Sequence, residues 1–276
     1  MRAALRSPRP AVSGFTLVEL AVVFTIVALI LASAMYTLSA QIEQRNFEDT
    51  RRRLEQAREL LLAFAVVNGR LPCPARSAAT VAPVTVAGDE VVTTATGCIG
   101  DAVTDYYGGV SGAVTLGLLP ARAIGYQQVD ASGFAIDVWG NRLRYAVANL
   151  ITSCSGSSTT PHFVNSTNLK TNGITCQPND LLICKSATGI TGTTCGGAAN
   201  QIMSQSLVVA IVYSTGKNGA TGGGGIDEAA NVNGDRVYVF HTPTPSSAAN
   251  GEFDDQFVWI TAGELYGRLI SAGVLP

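Results

Sequence analysis

The sequence predicts an α+β fold: a long N-terminal helix, half membrane anchor and half amphipathic spine, packed on a small antiparallel β-sheet with disulfide-stapled insertions. Three observations point there. Residues 15–68 contain neither glycine nor proline, although the 276-residue chain holds 29 Gly and 11 Pro, so nothing interrupts a helix across that stretch. The C-terminal third carries three strand-like runs, residues 207–213, 236–240 and 257–260. Between them lie two segments, about 70–135 and 151–205, rich in small and polar residues and holding all six cysteines. An amphipathic helix has to bury its apolar stripe, and three or four antiparallel strands supply the surface for it.

In chain order, residues 1–14 form a short leader with Arg2, Arg6 and Arg9 and no acid. Positive charge ahead of an apolar run keeps that end cytoplasmic, so the rest of the chain lies across the membrane. From 15 to 34 the only charged residue is Glu19. A helix over that stretch spans about 30 Å, the thickness of a bilayer's hydrocarbon core. An ionised carboxylate within it costs a few kcal/mol unless a cation answers it, which makes Glu19 a functional residue in search of a partner. A secretory signal peptide has a shorter apolar region and a small-x-small cut site, and does not fit.

Residues 15–36 are thus the anchoring half of the helix and 37–69 the amphipathic half. In the latter, Phe47, Thr50, Leu54, Ala57, Leu61 and Phe64 recur at alternating spacings of three and four, one face of a helix. Asn68-Gly69 is a stop signal, and Pro72 and Pro74 bar the helix from resuming.

The run Gly14-Phe15-Thr16-Leu17-Val18-Glu19-Leu20 behind a basic leader resembles the N-terminal signature of type IV prepilins and type II secretion pseudopilins. The resemblance implies cleavage between Gly14 and Phe15 by a prepilin peptidase, N-methylation of Phe15, and Glu19 as the assembly residue. It also implies assembly with other pilins or pseudopilins by inner-membrane machinery. Before assembly, the chain crosses the bacterial inner membrane once, with residues 70–276 as a pilin-like domain in the periplasm. Electrostatics agrees with the resemblance: the α-amino group of Phe15 on a neighbouring subunit is the cation that a buried Glu19 needs.

Beyond the helix, residues 70–135 read as hairpins and turns. Asp137-Val138-Trp139-Gly140-Asn141, followed by an alternating run to Tyr145, reads as a turn into a strand. It is similar to a turn of the major pseudopilins, with Val138 and Arg142 in place of two prolines. Residues 151–205 read as a surface insertion too polar to support its own core. Six cysteines in an exported domain imply up to three disulfides. Their connectivity is open, and nearest-neighbour pairing (Cys73–Cys98, Cys154–Cys176, Cys184–Cys195) closes the shortest loops.

The glycine-rich stretch around Gly222–Gly225 is not a phosphate loop, because the P-loop spacing is missing. It resembles the loop with which major pseudopilins bind calcium, which makes Asp227, Glu228 and Asp235 candidate ligands. Asp254-Asp255 could brace that loop. The alternative is a solvated hairpin whose acids serve solubility. No cofactor other than calcium is expected. His162 and His241 are the only histidines, and neither lies in a nucleophile context, so no hydrolase triad is expected. The formal net charge of −2, more acidic once the leader is lost, indicates no nucleic acid. The expected function is therefore structural and non-enzymatic: a minor subunit of a type IV pilus or type II secretion filament. The competing reading is an adhesin or substrate-binding module that the filament displays through residues 151–205.

Overall fold

The computed structural model describes residues 14, 16–77, 86–91, 98, 106–107, 109–111, 114–149, 151–152, 161–221 and 224–275. The leader 1–13, Phe15 and Cys154 lie outside the described residues, as does most of the two β-branched runs between 81 and 94. The chain divides into two compact units, residues 1–47 and 48–276.

The helix α1 runs Leu17–Asn68 and ends where the sequence places its stop: Gly69 takes a left-handed φ of +67° and donates its N–H to Ala65 at 2.8 Å. In the first unit, every large apolar side chain described between Leu17 and Leu31 is exposed, Leu17 by 85% and Leu29 by 72%. Among the described residues no helix is long and apolar enough to cross a membrane. Described side chains of the apolar stretch end at Ala32, and the sequence continues it through Ser33 and Ala34.

In the second unit the remaining elements are, in order, β1 (Gly109–Ser111), β2 (Val114–Leu116), β3 (Arg144–Val147), β4 (Ile151–Thr152), α2 (Ser166–Asn172), β5 (Gln177–Pro178), β6 (Leu182–Cys184), β7 (Gln201–Met203), β8 (Val208–Ser214), α3 (Ile226–Asn231), β9 (Val237–Val239), β10 (Gln256–Thr261) and α4 (Ala262–Ser271). The central sheet is antiparallel in the order β10-β8-β3. Its middle strand β8 is buried at every position, as the apolar run from Val208 to Tyr213 requires. Thr50, Leu54, Ala57, Leu61, Leu62 and Ala65 of α1 are also buried, and all but Thr50 share one core cluster with β8. The helical stripe read from the sequence is therefore the face that packs.

The strand at 236–240 does not join this sheet. β9 pairs parallel with β6, and β7 adds antiparallel to β6, making a second three-stranded sheet. Nor is the 151–205 segment merely a surface insertion. Phe163, Val164, Leu169, Leu181 and Ile183 enter the main core, because its few apolar residues are spaced to reach one shared interior. Leu182, Cys184 and Cys195 form a separate small cluster with Val237.

Two disulfides, Cys73–Cys98 and Cys184–Cys195, are nearest-neighbour pairs. Cys176 is disulfide-bonded as well. The first sits beside a bidentate Arg70–Glu90 pair at 2.8 and 2.7 Å, and Glu90 also accepts the Cys73 N–H. At the other end of the chain, α4 is capped by Thr261 and held to α1 by Arg58, which meets Glu264 at 2.5 Å and the Trp259 carbonyl at 3.1 Å.

His162 is fully buried and lies 3.1 Å from the Tyr266 hydroxyl, which itself donates to the Cys176 carbonyl. The tyrosine's proton is thus committed, so the ring donates from Nε2, a tautomer assigned from these contacts. Burial pushes the imidazole down from 6.5 to about 4. Between those values the unfolded chain holds a proton that the folded chain does not, so stability falls as pH drops from about 6.5 to about 4. The loss amounts to about 3 kcal/mol across the window. Denaturant unfolding of the full chain at a series of pH values checks this: His162→Gln should flatten the acid slope relative to the native chain, whatever it does to stability at pH 7.

Candidate functional site

Two places combine charge with burial or with apolar surroundings. The first is the start of α1. Thr16 precedes the helix, and Glu19 is its third residue. The Thr16 N–H and hydroxyl both donate to Glu19 Oε2 at 2.9 Å, and the Glu19 N–H approaches Thr16 Oγ1 at 3.3 Å. This is a reciprocal capping box, which satisfies N–H groups that the first turn leaves open. The Thr16-x-x-Glu19 spacing announces it, although a reading that treats Glu19 only as a stranded charge passes over it. Among the described residues Glu19 Oε1 has no hydrogen-bond partner, so half of the carboxylate stays available to a cation from elsewhere. Gly14 is exposed, and a side chain there would meet nothing within 4 Å.

The second place lies at the end of the β8–β10 pair, where Ser214 faces Gln256. The chain leaves β8 into the glycine-rich loop and enters β10 from Asp254-Asp255, while α3 presents Glu228. The Glu228, Asp254 and Asp255 carboxylates have oxygens within 4.8 Å of one another, and all three residues are at least 95% buried. The surrounding backbone closes on them. The Asp254 N–H donates to Glu228 Oε1 at 2.7 Å, Gly224 N–H to Glu228 Oε2, and Lys217 N–H to Asp254 Oδ2 at 2.9 Å. Asn231 donates to Asp255 Oδ2 at 2.7 Å. Asp254 Oδ1 and Asp255 Oδ1 are left without a partner among the described residues.

Glycine is required here for a steric reason. A Cβ on Gly216, where φ is +64°, would fall 1.7 Å from Asp254 Oδ1, and one on Gly224 2.6 Å from Glu252 Cβ. The loop is drawn tight against the carboxylates, closer than any side chain allows.

Crowding carboxyl groups out of water disfavours the ionisation of Asp254 and Asp255. Burial, then the Glu228 carboxylate, pushes Asp254 up to about 7. Burial raises Asp255 well above the carboxylate range, with Glu228 and Asp254 adding to it. Such a group holds protons or a cation. Oxygen-only ligands, two of them unpartnered, on a loop that also offers carbonyls suit a hard divalent ion such as calcium.

Of the three candidate ligands read from the sequence, only Glu228 is in this cluster. Asp227 points to other partners: it accepts from the Ala187 N–H at 2.5 Å, from Asn250 Nδ2 at 3.0 and 3.1 Å, and lies 3.2 Å from His241 Nε2. Adjacent residues on α3 are rotated about 100° apart, so Asp227 and Glu228 cannot share a site easily. Asp235 closes a turn into β9, paired with Asn233 and accepting the Val237 N–H at 2.8 Å. Asp254 and Asp255 take their places. The β8–β10 register brings them in, and that register is a long-range fact the local sequence does not state.

The 137–141 turn fastens the same loop to α1. Asp137 is buried, accepts from Ser214 Oγ at 2.6 Å and from the Asn141 N–H at 2.8 Å. Asn141 donates to the Gly216 carbonyl, and Arg53 of α1 donates to the Ile136 and Asp137 carbonyls at 3.0 and 2.6 Å.

Residues 9–35 match the prokaryotic N-terminal methylation motif. No curated protein and no solved structure matches the chain. The described parts of residues 36–276 are therefore read from their own geometry.

That geometry makes a prediction for the metal-free chain. Asp255→Asn keeps an oxygen to accept from Asn231 while removing one of three crowded acids. Thermal melts at pH 7.5 in chelator should find it as stable as the native chain or more so. A melting temperature many degrees lower would show that the carboxylate serves packing alone.

Proposed function

Starting from the type IV prepilin and pseudopilin signature at residues 9–35, we propose that this chain is a minor structural subunit of a type IV pilus or type II secretion filament. Prepilin peptidase cuts between Gly14 and Phe15 and the new amine is methylated. Before assembly the chain is a single-pass inner-membrane protein with its C-terminal domain in the periplasm. The protein is not an enzyme in this reading. The observation that carries it is the start of α1, where every large apolar side chain described from Leu17 to Leu31 is exposed and these side chains lie on all faces of the helix. A helix with no polar face is stable only in lipid or among other apolar helices. A filament core supplies the second and a bilayer the first.

Glu19 is the residue that separates the two settings. In the lone subunit its carboxylate closes the capping box with Thr16. In a filament its remaining oxygen pairs with the methylated amine of a neighbour's Phe15. Removing one member of a buried pair costs about 3–5 kcal/mol, because the other charge is stranded.

The buried acids support a further element of the proposal: Glu228, Asp254 and Asp255 hold a calcium ion that braces the glycine-rich loop. The ion would supply charge neutralisation and cross-link the ends of β8 and β10 with α3. If so, calcium at about 100 times its dissociation constant adds about 2.7 kcal/mol of stability.

A second reading has its own support. The 151–205 segment contributes Leu182, Cys184 and Cys195 to a small cluster with Val237, apart from the main core and tied by the Cys184–Cys195 disulfide, a substructure suited to display. In that case the subunit is scarce in sheared filaments and binds a surface or secreted substrate, whereas a bulk subunit dominates them.

Incorporation into sheared filaments tests the assembly role. Glu19→Gln preserves the capping geometry and removes the charge, so it should insert and be processed normally yet incorporate poorly. Glu19→Val should do the same, and Glu19→Asp should be milder. Normal incorporation of Glu19→Gln would refute the ion pair. A second measurement addresses the metal: calcium should raise the melting temperature of the native chain and leave Asp255→Asn unmoved, and an equal rise in both would remove the proposed site.

A further inference from the structure

A cavity of about 400 Å³ opens beside the Cys184–Cys195 disulfide, within the size range of small-molecule sites. No titrating side chain lines it; Cys195, its one thiol residue, is spent in the disulfide. Its walls are amides and hydroxyls: Asn179, Gln201, Gln205, Thr193 and Thr194, over a floor of Leu182. Gln205 Nε2 donates to Asn179 Oδ1 at 2.8 Å, which holds two of these amides in one orientation. Among the described residues nothing bonds the Gln201 amide, Asn179 Nδ2 or Gln205 Oε1, so both donors and acceptors in the walls have capacity to spare.

This chemistry selects a class of ligand. An anion finds no lysine or arginine in the walls, and a cation finds no carboxylate. An apolar ligand finds little beyond Leu182 and the disulfide. What fits is a neutral molecule that donates and accepts hydrogen bonds over its whole surface. We propose that this cavity binds a neutral saccharide through Asn179, Gln201 and Gln205. With no aromatic platform in its walls, single-site affinity is weak, on the order of millimolar. The inference deepens the displayed-binder reading and leaves the subunit reading independent of it.

Saturation-transfer NMR on the mature full chain tests it, in a detergent with a sugar-free head group. The probes are methyl β-glucoside, methyl β-galactoside and N-acetylglucosamine. N-acetylneuraminic acid serves as the charged control and a blocked neutral tripeptide as the competing ligand class. At least one neutral sugar should receive saturation, and its binding should weaken at least tenfold in Gln205→Ala and in Gln201→Ala. Gln205 lies in an exposed turn outside any strand, so its variant reports on the cavity even if Gln201→Ala disturbs β7. The proposal fails if no neutral sugar responds, if binding persists in Gln205→Ala, or if the tripeptide binds in preference. Failure with normal incorporation of the same variants into filaments removes the cavity's role and leaves the subunit reading standing.

Discussion

The second unit depends on one packing event, the burial of the Leu54–Ala57–Leu61–Ala65 stripe of α1 in the core that holds β8. Every position of β8 is buried, which a strand achieves only when both faces of its sheet are covered. Fully burying a leucine contributes about 1.5–3 kcal/mol, and Leu54, Leu61 and Leu62 are all at or below 2% exposure. The polar fasteners sit around this contact. Arg53 holds the 137–141 turn, Arg58 holds α4 through Glu264, and Arg70 holds Glu90 beside the first disulfide. Each is an arginine on or just past the end of α1, reaching a different part of the domain.

The first of these fasteners leads to the acidic cluster. Arg53 fixes the Asp137 turn, Asp137 fixes Ser214, Asn141 fixes Gly216, and Gly216 lies against Asp254. The site is thus built on the rigid ends of two paired strands, with the loop closing over it. Three buried carboxylates in such a frame cost stability unless a proton or a cation answers them, and the two unpartnered oxygens point to where it would sit.

Much of the fold was legible locally. The glycine- and proline-free stretch gave α1 and its end, and its spacing gave the buried face. The apolar run at 207–213 announced the central strand. What was not legible depended on long-range pairing. Nothing in residues 236–240 says that β9 joins β6 in parallel instead of the main sheet. Helix α4 escapes a reading by propensity because Gly263 and Gly267 lie within it; it forms on the strength of Thr261, Glu264 and the burial of Leu265 and Leu269. At the acidic site the same division holds. Glu228 could be named from its loop, whereas Asp254 and Asp255 gained their role from the β8–β10 register. Glu19 was legible as a costly charge, and its capping partner Thr16 was spelled out three residues earlier.

In the proposed function, processing frees the apolar half of α1 to be placed among like helices. N-terminal mass spectrometry of the chain, purified from cells that express prepilin peptidase, tests it most directly. A mature chain beginning with N-methyl-Phe15 is expected. An intact Met1, or a cut at any other position, would contradict it.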